Sequence, residues 1–264
     1  MTTHAVLIGV EAPQALRWSS GQSRFEPAAG ALREGDIAFA RLDGVANDLD
    51  AYARILENSE VDSGELQVER LDEPARATLE SVTTELSRHV DTQHPCTCST
   101  LVIVMVGHGF RWMSYDDSEP DRMDELFALA DLPLIDDWWV PFWKGARADM
   151  KAVVIVDSCH SDSIAYRAAP IEPVIHYDTT SAGPRRVLIS ASMQEQQARE
   201  RSFGNKVQGV LTRELLRSWD TPANRGSYST WYDYASRFVN NPYQTAVMRV
   251  VDPFASMERE LPFV

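Results

Sequence analysis

The chain has 264 residues, 44% of them hydrophobic, 24% charged and 9% aromatic, a globular composition too apolar for a disordered polymer. Lys and Arg number 25 against 39 Asp and Glu, and the resulting net charge of −14 opposes non-specific nucleic-acid binding and favours a basic partner or substrate. The longest apolar run, Leu101 to Val106, is about a third of a bilayer-spanning helix, so no membrane span is expected; no Lys/Arg-rich leader precedes the first apolar run, and the cytoplasm is the expected compartment.

In chain order, His4 to Val10 is a short β-branched run, apolar on both faces as buried parallel strands are. Glu11 to Asp36 reads as a loop. Ala46 to Leu56 carries Ala46, Leu49, Tyr52, Ala53 and Leu56 at helical period, and Ala75 to Leu86 carries Ala75, Leu79, Val82 and Leu86 likewise, after a strand pattern at Leu66 to Leu71. Gln93 to Cys98 reads as a loop, Thr100 to Val106 as a second buried strand and Phe110 to Asp124 as an excursion. Ile135 to Arg147 predicts a helix whose Trp138, Trp139, Phe142 and Trp143 are core. Ala152 to Val156 and Val187 to Ser190 are two more buried strands, separated by Ser161 to Arg186, which is poor in large apolar residues and reads as an exposed linker. Helices follow at Gly209 to Trp219 and Thr230 to Val239, and then an extended tail. Strands alternating with helices predict one α/β domain over residues 1–264, with a mostly parallel central sheet flanked by helices; about 1–160 and 187–264 form its two parts, joined by the linker at about 161–186.

Ligands of open α/β sheets bind at the carboxyl ends of the strands. Two of those ends carry reactive groups: one strand runs into Gly107-His108-Gly109, another into Asp157-Ser158-Cys159-His160-Ser161. A thiolate attacks carbonyls, and a nearby imidazole lowers its pKa and protonates the leaving amine, so His108 and Cys159 are a candidate dyad. The backbone N–H groups of Gly109 and Cys159 are candidate donors to the oxyanion. The bland alternative, a buried structural thiol and a turn histidine, stays open on these residues alone.

Val106-Gly107-His108-Gly109, followed by Asp157-Ser158-Cys159-His160-Ser161 with the Cys 51 positions after the His, resembles the caspase-fold cysteine peptidases, whose His precedes the Cys by about 50 residues. The cysteine motif is closer to metacaspases and bacterial caspase homologues than to animal caspases. Leu42-Asp43-Gly44-Val45-Ala46-Asn47-Asp48 resembles the segment that opens their first helix. Asp124-Glu125, Asp131 and Ile135-Asp136-Asp137 resemble the acidic stretch between His and Cys; Leu188 to Ser192 with Gln196 to Glu200, and Gly209 to Leu216, resemble the start of the small subunit. The resemblance spans essentially the whole chain and implies a caspase-like three-layer sandwich.

It also implies function. Metacaspases cut after Arg or Lys with acidic residues in S1, and Asp48 and Asp157 match those two by position; desolvated carboxylates at a pocket base select a cationic side chain. The chemistry itself requires no cofactor. Many metacaspases respond to Ca²⁺ through a carboxylate cluster that Asp131, Asp136 and Asp137 match in order, although Tyr166, Trp138 and Trp139 depart from it, and a solvated acidic helix start is the alternative. Arg167, Arg185 and Arg186 lie where relatives have their intersubunit linker and are candidate self-cleavage points. The expected partners are a protein or peptide substrate with basic P1 and a separate activating or inhibitory protein, as for a bacterial immune or cell-death effector. A silent caspase-like scaffold and a cysteine hydrolase of small amides or esters are the rival readings. Cys96 and Cys98 are expected to be loop thiols, and His160 a structural residue.

Overall fold

The computed structural model describes residues 2–59, 66–90, 98–114, 122–162, 164–165, 175–178, 183–254 and 256–263. The chain passes through β1 (Thr3–Gly9), the hairpin β2 (Leu16–Ser19) and β3 (Arg24–Pro27), α1 (Val45–Glu57), β4 (Leu66–Leu71), α2 (Leu79–Arg88) and β5 (Thr100–Val106). A small meander follows, β6 (Gly109–Met113), β7 (Met123–Ala128) and β8 (Pro133–Ile135), then α3 (Trp139–Gly145), β9 (Lys151–Asp157), β10 (His176–Asp178) and β11 (Arg185–Ser190). The hairpin β12 (Glu200–Phe203) and β13 (Lys206–Gly209) leads into α4 (Val210–Trp219), α5 (Tyr228–Val239) and β14 (Val247–Val251).

Seven strands form the central sheet in the order β10-β14-β11-β9-β5-β1-β4, parallel throughout except where β11 meets β14. Alternation along each strand divides the core into two layers. Val102 and Val104 of β5 and Val153 and Ile155 of β9 face α1, α4 and α5, while Leu101, Ile103 and Met105 with Ala152, Val154 and Val156 face the side carrying α2 and α3. The helices supply matching stripes: Leu49, Tyr52, Ile55 and Leu56 from α1, Leu211 and Leu215 from α4, Val82 and Leu86 from α2. The result is the three-layer α/β sandwich expected from the sequence. Among the described residues no helix is long and apolar enough to cross a membrane.

The differences from the sequence reading are local. Glu11 to Asp36 holds the β2–β3 hairpin, and Phe110 to Asp124 overlaps β6 and β7. The predicted helix from Ile135 is broken: Ile135 ends β8, Asp136–Trp138 forms a 3₁₀ turn, and the α-helix starts at Trp139. Pro141 is the cause, because it lacks an N–H for the carbonyl of Asp137 and its ring crowds that carbonyl, so it is accommodated only in a first turn. Helix α2 begins at Leu79, where the Thr78 hydroxyl accepts from Ser81 N–H. The last sheet strand before the β12–β13 hairpin starts at Arg185, two residues before the predicted Val187.

Candidate active site

Register places the site. Val106 of β5 lies opposite Asp157 of β9, so His108 and Cys159 each follow the same rung of the sheet by two residues, on neighbouring strands about 4.8 Å apart. The chain leaving β5 passes so close to the cysteine that a Cβ at Gly109 would lie 1.9 Å from the Cys159 carbonyl oxygen, which only glycine avoids. Ala128 N–H donates to the His108 carbonyl at 2.9 Å, which makes Gly109 and Phe127 a non-hydrogen-bonded pair and turns the Gly109 N–H away from β7.

The His108 imidazole is oriented by main chain. Its Nε2 lies 2.6 Å from the Ala40 carbonyl oxygen, and the Phe39 ring packs against it with centroids 5.2 Å apart. A carbonyl only accepts, so Nε2 carries the proton and Nδ1 is left as the basic nitrogen of the neutral ring. Leu16 and Ile37 exchange two backbone hydrogen bonds that tie the segment carrying Phe39 and Ala40 to β2. No sequence motif marks Ala40, because the group it supplies is common to every residue.

The Cys159 thiol donates to the Ala198 carbonyl at 3.6 Å, and burial pushes its pKa up, with the Asp157 charge adding to the rise. The residues around it are clasped by the chain leaving β11: Ser192 Oγ donates to the Ser158 carbonyl, Ser192 N–H to Ser161 Oγ, and His160 N–H to the Gln196 carbonyl. His160 takes a left-handed φ of 53° and its Nδ1 lies 2.5 Å from the Gln194 carbonyl, so its ring is engaged away from the thiol, in the structural role expected.

Beside these two groups is a cleft of about 190 Å³ lined by Leu42, Asp48, His108, Asp157, Cys159 and Glu200, among others. Asp48 Oδ2 accepts from Gly209 N–H at 2.9 Å, and Asp157 Oδ2 accepts from both the N–H and the hydroxyl of Thr212, at 3.0 and 2.7 Å. Both carboxylates thereby sit on the amino end of α4, where the helix dipole favours negative charge. Gly209 is required there, since a Cβ would lie 2.3 Å from Asp157 Oδ2. Burial, then the Asp157 charge, pushes the Asp48 carboxyl up to about 8, and burial raises Asp157 as well. Asp48 Oδ1 is buried and makes no hydrogen bond of good geometry among the described residues. Glu200, which sequence reasoning did not single out as a site residue, supplies a third carboxylate; it accepts from Gly44 and Asp43 N–H at 3.0 and 3.3 Å, closing β12 onto the start of α1. Such a cleft suits a cation that can neutralise the crowded carboxylates.

The other expected residues are not brought to this cleft. Asp131 Oδ1 accepts from Leu79 and Leu132 N–H, both at 2.8 Å, and so starts α2. Asp136 is buried in the 3₁₀ turn, and among the described residues no group of three or more His, Cys, Asp or Glu is placed to hold a metal ion. Arg185 and Arg186 are strand residues, not linker. Arg185 pairs with Glu260 at 2.6 Å, which also binds Lys151 at 2.6 Å, while Arg186 is buried with its guanidinium 5.0 Å from the Trp143 ring centroid. Arg167 and Tyr166 lie outside the described residues, as does Cys96. Cys98 is a buried core thiol at the foot of β5, where a loop thiol was expected.

A seven-stranded sheet, parallel at five of its six strand pairings and carrying a histidine and a cysteine two residues beyond one shared rung, defines a caspase-like α/β protein. The caspase domain family model matches residues 35–259, and the chain belongs to that family, whose members are cysteine peptidases acting on proteins. Among solved structures it is similar to a Geobacter sulfurreducens protein, at 20% identity and TM-score 0.71 over 100% of this chain and 99% of that one. It is also similar to caspase-1 from Spodoptera frugiperda, at 10% identity and TM-score 0.56 over 99% and 92% of the two chains. No curated protein matches it.

Proposed function

We propose that the protein is a cysteine endopeptidase that cleaves after Arg or Lys. The observation that carries this reading is the single cleft in which Cys159 and His108 stand beside Asp48, Asp157 and Glu200. The Cys159 sulfur attacks the scissile carbonyl as its proton passes to His108 Nδ1, and the resulting imidazolium keeps its Nε2–H on the Ala40 carbonyl. Gly109 and Cys159 N–H groups receive the oxyanion. Collapse of the tetrahedral intermediate breaks the C–N bond, and His108 Nδ1 returns the proton to the amine. The same nitrogen then activates water against the thioester, which restores the thiol.

Because burial raises the Cys159 pKa and favours the thiol over the thiolate, attack is coupled to proton transfer to His108. A P1 guanidinium entering the cleft favours ionised carboxylates, so binding below about pH 8 releases a proton from the Asp48 and Asp157 pair. Hydrolysis of fluorogenic peptides with Arg, Lys or Asp at P1 tests the reading, with wild type beside Cys159→Ala and Asp157→Asn. Turnover after Arg or Lys that vanishes in the first variant and falls sharply in the second is expected. Turnover only after Asp would overturn the pocket assignment, and failure of a peptidyl electrophile to label Cys159 would favour the scaffold.

A further inference from the structure

The residues that line the cleft of three carboxylates also include Arg199, between Ala198, which accepts from the candidate nucleophile, and Glu200. The Arg199 carbonyl accepts from Val210 N–H at 2.9 Å, extending the β12–β13 ladder by a residue and fixing its backbone. Its side chain is exposed and makes no ion pair among the described residues; the guanidinium carbon lies 5.1 Å from the centroid of the Tyr243 ring. Tyr243 is 66% exposed, so this ring is kept at the surface and not drawn into the core.

The ring is positioned by its turn. Asn241 Oδ1 accepts from Tyr243 N–H at 2.9 Å and Gln244 N–H at 3.2 Å, and Gln196 Nε2 donates to Thr245 Oγ1 at 3.2 Å, tying the turn to the segment that carries Arg199. A guanidinium stacked on an aromatic face keeps its in-plane N–H edge available for a forked contact with a carboxylate, and loses less freedom on making it than an unsupported one. The chain as a whole carries a charge of −14 and repels acidic peptides, which makes a fixed cation at the mouth of the cleft a selective feature.

We propose that Arg199, stacked on Tyr243, forms a second charge-reading subsite that selects substrates bearing Asp or Glu within two residues of the basic P1 residue. This rests on the endopeptidase reading above and narrows its substrate class to sequences of mixed charge. Neighbouring side chains of an extended segment point to opposite sides, so Arg199 reads a different substrate position from the one that Glu200 and the two aspartates receive.

The test is a set of peptides with Arg at P1 and either Glu or Gln at P3, P2, P1′ or P2′, cleaved by wild type, Arg199→Ala and Arg199→Glu. Wild type is expected to prefer Glu over Gln by about tenfold in kcat/KM at one position. The ratio falls to near one in Arg199→Ala and inverts in Arg199→Glu; because it is taken within each variant, a general loss of activity cancels. Tyr243 acts through Arg199, so Tyr243→Ala lowers the ratio and Tyr243→Phe restores it. An equal ratio in wild type and Arg199→Ala at every position overturns the subsite. If no peptide is cleaved, fluorescence anisotropy with Cys159→Ala, with and without Arg199→Ala, reads the same Glu/Gln preference as affinity. Arg199-dependent discrimination there upholds the subsite while the absent turnover overturns the endopeptidase, and equal affinities overturn the subsite.

Discussion

The two strand exits that carry the candidate dyad are secured by different means. The β9 exit is clasped by side chains and backbone close to it: the Ser158, Ser161 and Ser192 hydrogen bonds, and just beyond them a buried bidentate pair between Asp162 and Arg249 at 2.8 and 2.7 Å. The β5 exit has glycines on both sides of His108 and takes its orientation from Ala40, 68 residues earlier in the chain. A nucleophile needs a fixed backbone so that its carbonyl and N–H stay in place, whereas the base needs its ring aimed and its tautomer set; one distant carbonyl and one packed ring suffice for that.

The largest test of this contrast removes the groups themselves. Cys159→Ala and His108→Ala are each expected to lower kcat by about three orders of magnitude or more, and the double variant to be no worse than the worse single, since the pair acts as a unit. Steady-state kinetics on an Arg peptide checks it, and additive losses would separate the two roles. Next in size, Gly109→Ala drives a methyl into the Cys159 carbonyl and displaces both exits by a fraction of an ångström or more, for a loss of about 100-fold in kcat with an unchanged far-UV circular dichroism spectrum.

Thr212→Val sharpens the comparison from below the cleft. It deletes the hydroxyl that donates to Asp157 while leaving the backbone donor, so a buried carboxylate loses a partner at a cost of about 1–3 kcal/mol, read as a lower denaturation midpoint. The Arg-peptide KM rises with it. The remaining effect is on pH. Asp48 is held near 8 when folded against 3.8 for the unperturbed group, so the folded chain keeps a proton that the unfolded chain releases. Its contribution to stability is complete below about pH 4 and is lost progressively as pH rises through about 8. Asp48→Asn is therefore expected to flatten the fall in Tm between pH 5 and 9, as followed by calorimetry; an unaltered slope would mean that Asp48 ionises in the folded chain as it does in the unfolded one.

The strands of the central sheet were legible because both their faces are buried, which leaves continuous β-branched runs such as Leu101 to Val106. Through these strands the cysteine and histidine were legible too, as polar residues just past apolar ends. The β6–β8 meander was not, because its strands are short and interrupted by a polar stretch that reads as a loop. Glu200 was hidden for another reason: its role comes from a hairpin folding onto α1, a contact across 156 residues to Gly44 that no local spacing encodes. The Ala40 carbonyl had no side-chain signature at all. Asp131 shows another limit, since its place in the acidic stretch does not reveal that its carboxylate accepts from Leu79 N–H and so starts α2.

Glu260 receives Lys151 from β9 and Arg185 from β11, and β11 itself lies between β9 and β14. The two parts of the chain are thus adjoining blocks of one sheet that meet where β9 pairs with β11, stitched at the foot by ions and along the strands by hydrogen bonds. Covalent continuity between them is dispensable for cohesion: a molecule cut once between residues 166 and 174 would run as two bands under denaturing conditions and elute as one particle under native ones.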